Sequence, residues 1–177
     1  MAKTKLTILS NFPVKKYAIY LGMGILLCLL QISAVGLIAI GPVVPDLVLI
    51  LVIYIAVNEG KFVGLIAAFV LGMMFDFFTL DLIGVNILAK STAALLAGFF
   101  HKEEGYKQIT TDYKFMLVIF LCSFLHNSIY GIINISAYKM NFVRFFLEYA
   151  VGASIYTAAM GIFPYVYASN KQAKKAG

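Results

Sequence analysis

Charged side chains are scarce in this sequence. They make up 12% of its 177 residues, about half the share of a soluble domain. So little polar surface cannot cover a fold that faces water on every side. Cysteines are equally sparse. Cys28 and Cys122 lie far apart inside apolar segments, which excludes a disulfide framework or a thiolate metal site and leaves two buried thiols acting as small hydrophobes. Enzyme signatures are missing as well: there is no HExxH, no GxSxG, no P-loop and no pair of acids within one segment. These absences point away from catalysis and from any metal or organic cofactor.

What the chain has instead is one apolar run after another. Hydrophobic residues make up 62%, and from Tyr17 to Ile40 no charged side chain occurs. As a helix that stretch is roughly 36 Å long, enough to cross a hydrocarbon core of about 30 Å. The N-terminal lysines followed by an apolar run invite a signal-peptide reading. A signal core is only about 7–15 residues, so the run is expected to be a retained first helix. Six crossings are expected, at 17–40, 44–58, 62–78, 82–100, 114–136 and 145–168, flanked by tails 1–16 and 169–177. The second is the short one, at about 20 Å. It is either a crossing in a thinned region or one arm of a re-entrant hairpin. The fold class is thus an all-α integral membrane protein, a compact bundle of about six transmembrane helices, with no room for a soluble domain of ordinary size.

The net charge of +6 does not form a stripe for nucleic acid; it sits in tails and loops, where topology uses it. With the N-terminus inside, Lys3, Lys5, Lys15, Lys16, Lys61, Lys102, Lys107, Lys114, Lys171, Lys174 and Lys175 face the cytoplasm. Only Lys139 and Arg144 fall outside, while Lys90 lies within a segment. That asymmetry predicts both termini inside.

In lipid the informative residues are small ones, which let helices touch, and polar ones, which are costly there. Gly64, Ala68, Gly72 and Asp76 recur every four residues and share one helical face, a groove for close backbone approach. The same spacing is common in membrane helices without special function. Asp76 should point at protein, a partner or outer-surface water, because a carboxylate facing lipid is expensive. Lys90, with Ala94 and Gly98 continuing its face, is the candidate counter-charge across the short turn Thr79-Leu80-Asp81. Alternatively it snorkels to Asp81 or faces a polar cavity. His126, Asn127, Ser128 and Asn134 give the fifth segment an unusual polar content, read first as interhelical hydrogen bonding and second as a substrate or proton pathway.

The stretch from Pro45 to Phe100 resembles the MreD family of rod shape-determining membrane proteins. Pro45-Asp46 opens an apolar run ending in Asn58-Glu59-Gly60. Gly64, Gly72 and Asp76 follow in Gly-Met-Met-Phe-Asp-Phe-Phe, then a short polar turn, then Gly84 in Leu-Ile-Gly-Val-Asn, and Gly98 closes the fourth helix. Lys90 departs from the pattern, standing where an apolar or small residue is expected. The resemblance implies a bacterial inner-membrane adaptor of the cell-elongation machinery. Its implied partners are the single-span periplasmic protein MreC and, through it, MreB, RodA and a class B transpeptidase. It also implies a fold similar to the substrate-binding S-components of energy-coupling factor transporters. A vitamin- or metal-uptake S-component is accordingly the alternative function, and it would need a polar-lined cavity open to the outer face. The family-motif positions are Pro45, Asp46, Gly72, Asp76 and Gly84. The expected packing and partner face is Gly64, Ala68, Gly72, Asp76, Gly84, Lys90 and Gly98.

Overall fold

A computed structural model describes residues 14–41, 43–79, 82–102, 109–138 and 142–176. The turn residues Leu80 and Asp81, the loop residue Lys107, Lys139 and most of the expected N-terminal tail lie outside the described residues. The chain forms α1 (Val14–Ser33), a 3-10 turn (Val35–Ile38), α2 (Leu47–Glu59), α3 (Lys61–Thr79) and α4 (Val85–Gly98). A second 3-10 turn (Ile109–Thr111) precedes α5 (Lys114–Tyr138). The last part is a series: α6 (Phe142–Phe145), a π-helical stretch (Phe146–Gly152), α7 (Ala153–Met160) and α8 (Ile162–Ala176).

Three of these helices, Val14–Ser33, Lys61–Thr79 and Lys114–Asn134 within α5, are long and apolar enough to cross a membrane by length and composition. The six full crossings expected from the sequence therefore resolve differently. Leu47–Glu59 and Val85–Gly98 are apolar but shorter, at 13 and 14 residues. The sixth segment is not one helix. Pro164 has no N–H to give the carbonyl of Met160, four residues back, and the helix breaks at Gly161, whose own N–H reaches both Thr157 and Ala158 carbonyls at 3.1 and 3.0 Å.

Neighbouring segments run antiparallel. Lys16 near the start of α1 pairs with Glu59 at the end of α2, 2.6 Å apart, and Tyr20 donates to the same carboxylate at 2.9 Å. At the opposite end, Gln31 of α1 donates to the Pro45 carbonyl and accepts from the Leu47 amide, both at 2.8 Å. Leu47–Glu59 thus spans the same layer as residues 16–31 of α1.

The sequence of α2 explains why it occupies the centre. It is apolar on every side, the mark of a helix with no face for solvent, and Val48, Leu49, Val52, Ile53, Ala56 and Val57 are completely shielded. Lipid is as apolar as these side chains, so their burial gains little by the hydrophobic effect, and close packing has to hold the helix instead. Its ends are fixed separately. Asp46 caps the first turn by accepting from the Leu49 amide at 2.7 Å. Gly60, with φ of 90°, ends the helix in a conformation that side-chain-bearing residues avoid.

Small residues set the spacing of the hairpin made by α3 and α4. A methyl group at Gly72 would come within 2.9 Å of the Ile87 Cα, and one at Gly98 within 2.7 Å of the Lys61 Cα. At Gly64 it would run into Ala56 of α2. Ala68 is likewise fully buried.

Candidate functional site

Polar groups from five helices converge where α2 begins. Lys90 of α4 is completely buried, yet its ammonium meets three neighbours: Asp46 Oδ2 at 2.6 Å, Asn86 Oδ1 at 3.1 Å and His126 Nε2 at 3.3 Å. A lysine ammonium only donates, so it fixes the rest of the network. His126 Nε2 must accept, which leaves Nδ1 carrying the proton and donating to Asn127 Oδ1 at 3.2 Å. Asn127 then donates to the Ser154 hydroxyl at 3.1 Å, and Ser154 closes onto the Ala150 carbonyl. Asp46 is tied on its backbone side too, where its N–H donates to the Thr157 hydroxyl at 3.1 Å.

Asp76 answers to different neighbours. The sequence suggests Lys90 as its counter-charge; the structure gives Lys90 to Asp46 instead. Asp76 Oδ2 accepts from the Gly84 amide at 2.8 Å and Oδ1 from the Asn86 amide at 3.1 Å. These donors belong to the first turn of α4, whose amides have no intrahelical partner and whose dipole favours negative charge. The cap residue Gly84 has no side chain to satisfy them, and its φ of 101° turns the chain so that the acid on the facing helix can. Asp76 is therefore a cap supplied across the hairpin. Lys90 sits farther into the membrane layer, level with the start of α2, which is why Asp46 reaches it first.

The network borders a cavity of about 220 Å³. Gln31, Asp46, Asn86, His126 and Asn127 supply its polar wall, and Phe75, Tyr130, Phe145 and Tyr149 its aromatic wall. The Tyr130 ring stacks on His126 with centroids 6.2 Å apart, and Tyr149 stacks on Phe145 at 5.4 Å. The wall formed by Phe145, Tyr149 and Ala153 belongs to the π-helical stretch and its flanks. Such widened turns occur often at functional sites. A larger groove of about 340 Å³ lies between α1 and α3, lined by Tyr20, Leu21, Phe62, Ile66 and Val70 among others. It lacks convergent polar groups and so offers little for recognition.

The residues expected from the sequence divide clearly. Asp46, Lys90 and Pro45 belong to the cavity network, with Asp76 and Gly84 supporting it through the α4 cap. Gly64, Ala68, Gly72 and Gly98 form the packing of the bundle, and the close approaches at their positions are made by this chain's own helices. His126 and Asn127 bond across helices, whereas Ser128 and Asn134 return to the carbonyls of Phe124 and Tyr130 on their own helix. Sequence reasoning overlooked Gln31, Asn86, Ser154 and Thr157. Gln31 and Asn86 carried a signal, being amides inside apolar runs, where an unpaired polar group is costly. Among the described residues no group of three or more His, Cys, Asp or Glu side chains could hold a metal ion.

A family model for the rod shape-determining protein MreD matches residues 15–167. No curated protein and no solved structure matches the chain.

Proposed function

The chain belongs to the MreD family of rod shape-determining proteins, and on that premise we propose that it is a non-catalytic adaptor that binds MreC through the polar cavity. Family membership and the long apolar helices make it a membrane-embedded, multi-pass component associated with the cell-elongation machinery. The adaptor reading adds the link: MreC bound here is coupled to MreB filaments, to RodA and to its class B transpeptidase, with membrane lipid as the surrounding solvent. The family match carries this reading.

The chain sits in the bacterial inner membrane with both termini cytoplasmic, residues 17–168 forming the transmembrane domain between tails 1–16 and 169–177. The lysine asymmetry supports that orientation, and the cavity then opens to the outer side, where a periplasmic partner enters the bilayer. The partner contact belongs at the cavity more than at the four-spaced face of α3, because helices of this chain already occupy the close approaches at Gly64 and Gly72. Cysteine labelling from outside should reach Met140→Cys and miss Gln108→Cys; the reverse pattern would overturn the orientation.

The cavity is also the observation that favours a transporter S-component. The size of this polar cavity supports the adaptor. About 220 Å³ lies below the roughly 300–1,000 Å³ of small-molecule pockets, yet it suffices for an anchor residue of a partner chain, the kind of buried contact that dominates interfaces. MreC truncated to its transmembrane helix and adjoining residues should retain much of the complex. Depletion of this protein should turn rods round and leave vitamin uptake unchanged. A vitamin bound one-to-one in the purified protein, with cell shape unaffected by depletion, would overturn the adaptor.

A further inference from the structure

We propose that Asn86 selects what enters the cavity, taking a neutral hydrogen-bond acceptor carried on an apolar anchor of the partner chain; this rests on the adaptor reading above. Asn86 is 2% exposed and lines the cavity, and its Nδ2 is a buried donor without a hydrogen-bond partner. A buried donor left unmade is costly, so its presence beside an open volume calls for an acceptor from elsewhere.

The amide cannot be turned round to remove the problem. Its Oδ1 accepts from Lys90 at 3.1 Å, and a flip would set NH2 against an ammonium that has only donors to offer. The backbone is held as well, since the Asn86 N–H donates to Asp76. The donor is therefore presented in one direction by contacts that do not depend on any ligand.

The other polar side chains on this wall are occupied. Gln31 uses its amide nitrogen on Pro45 and its oxygen on Leu47. Asp46 accepts from Leu49 with one oxygen and from Lys90 with the other. His126 and Asn127 are engaged with each other, and beyond them with Lys90 and Ser154.

Charge then sets the class of the anchor. Lys90 is fully shielded and neutralised by Asp46, so no uncompensated cation faces the cavity. A carboxylate entering would approach the Asp46 carboxylate, and an ammonium would bring donors against the Asn86 donor, each after losing its hydration. A neutral group with one acceptor avoids both costs. Phe75, Tyr130, Phe145 and Tyr149 provide an aromatic lining for its apolar body.

Asn86→Asp separates the two jobs of the side chain. It keeps an oxygen for Lys90 and replaces the outward donor by an acceptor. Binding of an MreC fragment, comprising the transmembrane helix and adjoining residues, is measured by fluorescence titration in lipid nanodiscs beside the melting temperature. Asn86→Asp should bind at least tenfold more weakly than the wild type. Its melting temperature should fall, because the added carboxylate shares Lys90 with Asp46, and the titration is run below that melting temperature, where the variant is folded. In a lysine scan of the fragment's membrane-proximal residues, one lysine variant should bind Asn86→Asp better than it binds the wild type. The Asn86 side-chain amide resonances of the wild type should also shift when fragment is added, which keeps the test independent of how well the variant folds. Unchanged binding of a folded Asn86→Asp, or resonances that stay still while the fragment binds, would overturn the selection by Asn86 and leave the adaptor standing. A wild-type protein that binds neither fragment nor full-length MreC would overturn both.

Discussion

Two stretches of this chain wall the cavity from opposite sides and are built on opposite rules. The α3–α4 hairpin is regular. Gly72 and Gly98 let its backbones approach to the limit, and its buried acid is satisfied by two backbone amides. The stretch from Phe142 to Met160 is irregular, passing from α to π and back within 19 residues, and it contributes the Phe145 and Tyr149 rings together with the Ser154 and Thr157 hydroxyls. A methyl group at Gly152 would meet its nearest neighbours only at 3.5 Å, ordinary contact with none of the hairpin's crowding. One wall is fixed by backbone-to-backbone packing and presents Asn86 and Phe75; the other is loosely packed at Gly152, seats the Phe145 ring against Gly131 of α5, and presents Phe145 and Tyr149. A site that receives another chain uses both, a fixed donor to define what fits and an aromatic surface for its apolar body.

Lys90→Met should damage the fixed wall most. It leaves the Asp46 charge unpaired in a low-dielectric setting, and removing one partner of a buried pair costs about 3–5 kcal/mol. The fixed wall should fail, seen as a large drop in thermal stability in detergent. A double-mutant cycle sharpens the point: the coupling of Lys90→Met with Asp46→Asn should exceed its coupling with Asp76→Asn. Equal couplings would show that Lys90 serves both acids alike.

Gly72→Leu comes next. Overpacking of a tight contact costs about 1–3 kcal/mol, and here the obstruction is the Ile87 backbone, which cannot rotate away. Val70→Leu, two residues earlier and facing the groove between α1 and α3, should be tolerated. If the two variants melt alike, the hairpin is not the rigid wall.

Gly152→Ala should have the smallest effect, within about 0.5 kcal/mol, because the added methyl finds ordinary contacts and the residue is already helical, with φ of −60°. A destabilisation as large as that of Gly72→Leu would erase the contrast between the walls.

The same contrast explains what the sequence could and could not tell. The all-α membrane fold was legible because scarce charge and long apolar runs admit little else. The hairpin was legible because the short turn Thr79-Leu80-Asp81 leaves its two helices side by side; of the four-spaced face, Gly72 meets the α4 backbone while Gly64 meets Ala56 of α2. The ion pair was read with the right lysine and the wrong acid. Sequence proximity favoured Asp76, but the unsatisfied amides at the start of α4 claim Asp76 first, and Asp46 lies 44 residues from Lys90. The π-helical wall left no trace in residue spacing, because an apolar run reads alike whether its turns close at four residues or five. Asn86 closes the Leu-Ile-Gly-Val-Asn run and signals itself only as an amide in an apolar segment; its role comes from its place between Asp76 and Lys90.

If the cavity receives the partner, filling it from within should evict that partner. Ala153 lines the cavity at the start of α7 and is 9% exposed. Ala153→Leu directs added bulk into empty space, so the protein should keep its melting temperature. Co-purification of MreC with the variant from detergent extract should then be lost. A stable Ala153→Leu protein that still carries MreC at the wild-type ratio would contradict the account.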